Sequence, residues 1–124
     1  MKRPGRLLIH TCSVVQAGTV DSYGVSSPSW DTPTATTTGI ACRNEPDEER
    51  ELSSGAVLST HWMIMLYGDA PASLKVHGAE RTHRITNLKD LAGVVLDAGP
   101  FDVVNVSDAA GAAEHLELKL LRVG

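Results

Sequence analysis

The chain of 124 residues has room for one domain, and its folding hides roughly two-thirds of the surface of the unfolded chain. Hydrophobic residues make up 42% of the sequence but aromatic residues only 4%, so an aliphatic core is expected. The formal net charge of −4 argues against tight binding to nucleic acid, because affinity for phosphates requires a basic face. No apolar run approaches the roughly 20 residues that span a bilayer, and a soluble cytoplasmic protein without a membrane partner is expected.

The first third of the chain predicts two strands separated by a long loop. Residues 6–15 are apolar on most of both faces, which is typical of a buried strand. Residues 16–33 are dominated by Gly, Ser, Asp and Pro and show no periodicity, so a long extended loop is predicted there. Residues 34–43 return to β-type side chains and predict the second strand.

The middle of the chain places an acidic segment before the most apolar run. The acidic cluster is compatible with one helical turn or with a solvated loop, and consists of Glu45, Asp47, Glu48, Glu49 and Glu51. Residues 56–67 then alternate between two sides, one of which is apolar apart from Thr60. This pattern predicts a long central strand.

The last third predicts short strands and a closing hairpin. Residues 73–78 and 80–86 each predict a short strand, residues 87–91 predict a helical turn capped by Asn87, and residues 94–96 predict another strand. From residue 101 onwards, apolar and polar side chains alternate with a period of two, most clearly at Leu116, Leu118 and Leu120. This alternation predicts an antiparallel hairpin with its turn over residues 108–113. Six to eight short strands in total are typical of an all-β barrel or sandwich.

Residues that could carry chemistry give little support to an enzyme. A zinc site can be drawn on paper from His10, Cys12, Cys42 and His61, but their spacing matches no closed structural zinc pattern. The two cysteines are interpreted as small buried hydrophobes rather than as a bridge or a ligand pair. The sequence has no Gly-x-Ser-x-Gly elbow, Walker loop or dinucleotide fingerprint. No catalytic residue, metal or cofactor is therefore predicted.

Two surface features remain as candidate interaction sites. The loop over residues 16–33 is predicted to contact neighbouring subunits through Asp21, Tyr23, Val25 and Trp30, since Trp and Tyr dominate interface hot spots. An alternative for Trp30 is that it folds back and plugs an open barrel end. The acidic cluster is either an ordinary solvated surface or a charged rim that repels a passing polyanion.

The order of these segments carries a family resemblance. A glycine-bearing loop over residues 21–30 ends at Trp30 before a Thr/Ala-rich strand, and an acidic stretch precedes the strand over residues 58–66. The hairpin that begins at Gly99-Pro100 closes the pattern. Together these segments resemble the head–tail joining (head closure, or stopper) proteins of long-tailed bacteriophages. The chain departs from that family at Leu66-Tyr67-Gly68, where an Arg-Tyr pair is usual, and residues 87–99 form a longer segment than usual.

The resemblance implies a mainly β fold: a single SH3-like β-barrel domain over residues 1–124, with long inserted loops and at most short helical turns. It implies a structural virion protein of the phage neck, assembled in the host cytoplasm as a homo-oligomeric ring of six or twelve subunits. Such a ring lies under the portal and adaptor proteins and above the tail tube or terminator proteins. It retains packaged DNA, which passes through the lumen without sequence-specific binding, and the acidic cluster would face that lumen.

Two alternatives remain open. One is a tail-completion or tail-terminator subunit, which would carry more helix packed on a sheet. The other is a small β-barrel module that binds a peptide or a nucleic acid, although a nucleic-acid barrel should show a basic face studded with aromatic residues.

Overall fold

The computed structural model describes residues 8–76, 79, 82–108 and 114–123. Strands account for 66% of the structure and helical turns for 5%, so the prediction of a mainly β fold is confirmed. None of the helical residues in the described part forms a helix long and apolar enough to cross a membrane. The described residues include the 3₁₀ turn Ala72–Lys75 and form nine strands: β1 (His10–Gln16), β2 (Gly18–Ser22), β3 (Val25–Ser29), β4 (Ala35–Glu51), β5 (Val57–Leu66), β6 (His83–Asp90), β7 (Val95–Asp97), β8 (Phe101–Asp108) and β9 (His115–Val123).

Seven of these strands form one antiparallel sheet in the order β1-β4-β5-β9-β8-β6-β7. Strand β1 also pairs with β6, so the hydrogen-bonded order returns to the strand with which it began. Only β7 lies outside this circuit, paired with β6 alone. Strands β2 and β3 form a separate two-stranded sheet.

The leucines of β9 form the centre of the core. Leu116, Leu118 and Leu120 are all buried, as their alternation with polar residues predicts. On the neighbouring strand β5, Met65 lies opposite Leu116 and Met63 opposite Leu118. The remaining buried apolar residues that pack against them come from β1, β4, β6, β8 and the connection between β5 and β6: Cys12, Val14, Ile40, Cys42, Ala70, Leu74, Ala79, Ile85, Leu88, Phe101 and Val103.

The outer side of β5 is the more apolar one in sequence. It carries Trp62, which is 41% exposed, and Ile64, which is half-buried. The register with β9 determines which side of β5 faces the core, because a residue opposite a buried leucine points to the same face as that leucine. The indole of Trp62 is partly covered by the ammonium group of Lys119, 4.4 Å from the ring centroid.

The prediction that residues 16–33 form a long loop without secondary structure is wrong, because β2 and β3 form a hairpin within this segment. Its strands consist largely of Ser, Thr and Gly, whose small polar side chains leave no hydrophobic alternation to detect. The acidic cluster is likewise neither a helical turn nor a loop. Pairing with β5 extends β4 as a strand to Glu51.

Two further predictions about local structure are wrong. Residues 87–90 of the helical turn predicted over 87–91 belong to β6 instead, because the residues on either side of Asn87 pair with β1, and Asn87 lies at the register shift between them with φ of 51°. The strand predicted over residues 73–78 is replaced by the 3₁₀ turn Ala72–Lys75, which buries Leu74. Residues 77–78 of that prediction lie outside the described residues.

The other predicted strands correspond to observed ones. The C-terminal hairpin is confirmed by the antiparallel pairing of β8 with β9, although residues 109–113 of its predicted turn lie outside the described residues. The central strand predicted over residues 56–67 is β5, and the short one over 94–96 overlaps β7. The start of the first predicted strand, residues 6–7, and residues 80–81 also lie outside the described part.

A core substitution on β8 provides a test of this architecture. Phe101 is fully buried, and its ring meets the His61 ring edge-on with centroids 5.1 Å apart. We expect Phe101→Ala to lower the free energy of unfolding by about 3–5 kcal/mol, because it leaves a cavity that the neighbours fill only partly. Urea unfolding monitored by tryptophan fluorescence measures the loss.

The matched control is Val104→Thr on the same strand, where the side chain is 48% exposed. A change within about 0.5 kcal/mol is expected there. Equal losses for the two variants would contradict the assignment of Phe101 to the core.

Candidate interaction site

The β2–β3 hairpin is the feature of the chain that is least covered by the rest of it. Its two strands pair only with each other in the part of the chain that the structure describes. The register places Val20 and Val25 on one face, and they are 50% and 63% exposed. An isolated two-stranded hairpin is only marginally stable in water. A hairpin with an open valine face is therefore a candidate contact surface.

The tip of the hairpin holds an aromatic residue in an unfavourable backbone conformation. Ser22 pairs with Val25, so the turn consists of Tyr23 and Gly24, with φ angles of 52° and 78°. Positive φ at both positions defines a type I′ turn, which Asn, Asp and Gly adopt most easily. A tyrosine there costs of order 1 kcal/mol, and its side chain is fully exposed. Neither the turn nor the core requires this tyrosine, which points to a role in contact.

Asp21 stabilises the hairpin from its other face. It lies opposite Ser26, whose hydroxyl donates a hydrogen bond to its Oδ1 atom. This cross-strand bond holds the two strands in register, and on the opposite face Val20 lies across from Ser27. The structure therefore places Asp21, Tyr23 and Val25 on one hairpin, with Asp21 and Val25 on opposite faces.

Trp30 lies apart from them, at the base of the hairpin. It is half-buried, and the Arg84 guanidinium lies 4.1 Å from its ring centroid in a cation–π contact. The base is closed by two hydrogen bonds from Thr34, one from its N–H to the Gln16 carbonyl (2.9 Å) and one from its hydroxyl to the Ala17 carbonyl (3.0 Å). Trp30 thus attaches the hairpin to the body of the protein, and the four residues predicted to act as one contact group are divided between tip and base.

The acidic cluster lies on a strand with one unpaired edge. Strand β1 pairs with β4 only as far as Cys42, whereas β5 accompanies β4 to Glu51. Beyond Cys42 the outer edge of β4 therefore has no strand partner among the described residues. The first backbone N–H on this unpaired edge, that of Asn44, donates a hydrogen bond to the Nδ1 atom of His10 at 3.2 Å. Charged side chains on such an edge oppose pairing with another strand.

The five acidic residues fall into two groups. Glu45 forms an ion pair with Arg43 at 2.8 Å, and Asp47 forms one with Lys119. The hydrogen bond from Lys119 is the main cause that lowers the pKa of Asp47. The second group consists of Glu48, Glu49 and Glu51, which are exposed and have no ion-pair partner within the described residues. Their charges are the ones available to act on another molecule.

A polar cleft of about 420 Å³ opens beside this edge, and the sequence patterns do not reveal it. Its walls include His61 and the ion pair of Asp97 with Arg122 (2.8 Å). The Nδ1 atom of His61 lies 3.2 Å from the side-chain Nδ2 atom of Asn44, and its Nε2 atom lies 3.3 Å from the Ser59 hydroxyl. Burial lowers the pKa of His61. The polar side of β5 in the sequence, with Ser59 and His61 two residues apart, is the signal that could have indicated it.

The residues of the hypothetical zinc site do not form one. Cys12 and Cys42 are free and buried, as interpreted from the sequence. The neighbouring Cys42 thiol and burial both raise the pKa of Cys12, whose Sγ atom lies 3.9 Å from the sulfur of Met63. His61 is engaged with Asn44 instead. In residues 8–76, 79, 82–108 and 114–123, no three His, Cys, Asp or Glu side chains are grouped to hold a metal.

Comparisons with protein-family models, curated proteins and solved structures return no match to this chain. The sites described above include the hairpin with its exposed valines, the acidic edge of β4 and the polar cleft next to it. The hairpin combines exposed apolar side chains with a backbone conformation that its own turn does not favour. It is therefore the strongest candidate for a functional site.

A substitution at the hairpin tip separates contact from folding. In Tyr23→Asn the new side chain tolerates positive φ, so the free energy of unfolding is expected to stay the same or rise by up to about 1 kcal/mol. Any self-association through the hairpin tip should weaken, because the exposed ring is lost. Thermal unfolding and sedimentation velocity measure the two effects. A destabilised Tyr23→Asn protein would show that the ring supports the fold instead.

Two histidines give the stability a defined pH dependence. His83 is buried between the Ala79 carbonyl (2.8 Å from Nδ1) and the Ser73 hydroxyl (3.0 Å from Nε2), and burial lowers its pKa, as it does for His61. Below the ordinary value of about 6.5 the unfolded chain binds protons that the folded chain excludes. Stability is therefore expected to be complete above that pH and to fall on acidification. Thermal unfolding between pH 7.5 and 5.5 tests this.

The control for the pH dependence is His83→Gln. This variant should be less stable at pH 7.5, since it replaces a buried hydrogen-bonded ring, but its melting temperature should depend less on pH than that of the wild type. An unchanged slope would exclude His83 as a source of the pH dependence.

Proposed function

We propose that this chain is a structural subunit of the head-to-tail connector in the neck of long-tailed bacteriophages. In this proposal the closed strand circuit is an SH3-like β-barrel, and a ring of copies under the portal and adaptor retains packaged DNA and docks the tail. The observation that carries the proposal is the β2–β3 hairpin, an arm with exposed Val20, Tyr23 and Val25 that nothing in the described chain covers.

The division into a body and an arm suits a ring subunit. In the body, β1 is paired along both edges and the core is continuous, so the scaffold is held in one arrangement. The arm makes few contacts with that scaffold beyond Trp30 and the Thr34 hydrogen bonds. Each arm can contribute only a weak contact, but many weak contacts around a ring add up to high overall affinity.

The acidic edge supports the same proposal through electrostatics. A conduit for DNA should be electronegative, because a basic lumen would bind the polymer that must leave it. Glu48, Glu49 and Glu51 supply charges that no ion pair in the described chain neutralises. In the proposed ring they line the lumen.

A small barrel that binds a peptide is the second candidate, favoured by one observation. A cleft of about 330 Å³ at the base of the hairpin is lined by Trp30, Pro33, Arg84 and Pro100 among others. Aromatic and proline side chains of this kind form the walls of peptide grooves. A tail-terminator subunit is less well supported, since the helical residues in the described part of the chain are confined to 3₁₀ turns.

The experiment that tests the connector role compares the protein alone with the protein in the presence of portal and adaptor proteins encoded near it. Size-exclusion chromatography with light scattering should find a monomer or weak self-association for the isolated chain, because ordering the arms costs entropy. Addition of the portal–adaptor complex should give rings visible by electron microscopy.

Two results would count against this expectation. A stable large ring of the isolated chain would contradict the need for a partner to order the arms. Failure to join the portal–adaptor complex, with genes unrelated to phage capsids on either side of its own gene, would contradict the connector role itself.

A further inference from the structure

A basic segment lies directly before the first strand of the sheet. Residues 1–7, which precede the described part of the chain, contain Lys2, Arg3 and Arg6 and no acidic residue. Three of the eleven basic residues of the chain lie there, which leaves eight basic and fifteen acidic residues in the rest. The body of the protein is therefore acidic, and the basic segment is attached to it at β1.

The direction of β1 brings this segment to the free edge of β4. The two strands are antiparallel and His10 pairs with Cys42, so the chain enters β1 from the end of β4 that lies beyond Cys42. Residues 3 and 4 precede His10 by the same number of positions by which Glu49 and Glu48 follow Cys42. An extended segment of this length therefore reaches the outer end of the edge.

The polar cleft beside this edge holds negative charges that have no counter-ion in the described chain. One basic residue, Arg122, is among its described walls, and it is already paired with Asp97 at 2.8 Å. Glu48 and Glu49 also line the cleft, and neither forms an ion pair with another described residue. Arg50 follows them in the sequence but is not among the cleft walls. The cleft is therefore complementary in charge to the basic segment.

The backbone of this edge is unsuited to a continued ladder, so side-chain charge is the basis of the contact. The N–H of Asn44 is bonded to the His10 ring, and Pro46 has no N–H to donate. A segment that lies along the edge can nevertheless bind the glutamates through its own side chains. Covering a free edge in this way is one of the means by which sheet proteins prevent pairing with another chain.

We propose that residues 1–7 fold back on their own copy and place the side chains of Lys2 and Arg3 in the polar cleft, against Glu48 and Glu49. Because the segment is tethered within a few residues of the cleft, its effective concentration there is on the order of millimolar, which favours the same copy over a second one. The contact concerns the free subunit and does not rest on the proposed function. The proposed ring presents these glutamates to the lumen only after the segment has left the cleft.

Carbodiimide cross-linking of the wild-type protein tests the contact without any substitution. The reagent joins an amine to a carboxylate that lies against it, so a bond from Lys2 to Glu48 or Glu49 is expected within the monomer, located by mass spectrometry of its peptides. The cross-link should become several-fold weaker at about 0.5 M NaCl, because salt screens charge contacts at a protein surface.

Trypsin provides a second measurement with a matched control. Cleavage after Arg6 should be several-fold faster in Glu48→Gln/Glu49→Gln than in the wild type, because the segment is no longer held at the cleft. The control is Asp31→Asn/Asp69→Asn, which removes the same charge from two exposed positions outside the cleft walls. It should be cleaved at the wild-type rate.

Three results would overturn the inference. They are equal rates of cleavage after Arg6 in the wild type and in Glu48→Gln/Glu49→Gln, a Lys2 cross-link confined to carboxylates outside the cleft, and a cross-link from Lys2 that joins two copies. Neither measurement involves portal or adaptor proteins, so failure of this inference is distinct from failure of the connector role.

Discussion

The pairing of β1 along both of its edges is the constraint on which the rest of the structure depends. Because β1 joins β4 on one side and β6 on the other, the strand order closes around the leucines of β9. The β1–β4 ladder changes register between Cys12 and Val14 and the β1–β6 ladder between Thr11 and Ser13, in each case with the extra residue on the partner strand, and Cys12 and Val14 are buried. A slip by one residue in either ladder would turn both side chains outward. The same pairing fixes the ends of β1 from which the hairpin and the exposed apolar turn over residues 91–94 project.

The parts of the fold that the sequence predicts well are those whose side chains alternate strictly. The alternation of Leu116, Leu118 and Leu120 with polar residues specifies both the strand and its buried face. Where the strand is formed by a partner and not by its own pattern, sequence reasoning fails. The acidic half of β4 and the segment through Asn87 are strands because β5 and β1 supply their hydrogen bonds. That information lies far away in the chain and leaves no trace in the local pattern.

The residues of the candidate interaction site also differ in how well the sequence predicts them. Composition alone points to Tyr23 and Val25, since apolar side chains in a polar segment have no core to enter. It cannot distinguish them from Trp30, because the cation–π contact of Trp30 with Arg84 depends on strand β6. The apolar turn that begins at Leu91 is still harder to detect. Its exposure follows from β7 being paired on one side only, which is a property of the sheet order.

The surface also separates exposed apolar side chains from a strand edge that opposes backbone pairing. A free strand edge is the usual route to open-ended aggregation, and on β4 that edge carries Glu48, Glu49 and Glu51 together with a histidine that occupies the Asn44 amide. Backbone pairing between copies is thereby disfavoured at this edge, while apolar contacts are left open at the hairpin and the turn. A subunit that must form a closed ring needs both properties, because an unprotected edge would compete with the contact that closes it. In the proposed connector the same acidic residues therefore serve twice, since the charge that keeps strands apart also keeps DNA from binding to the wall.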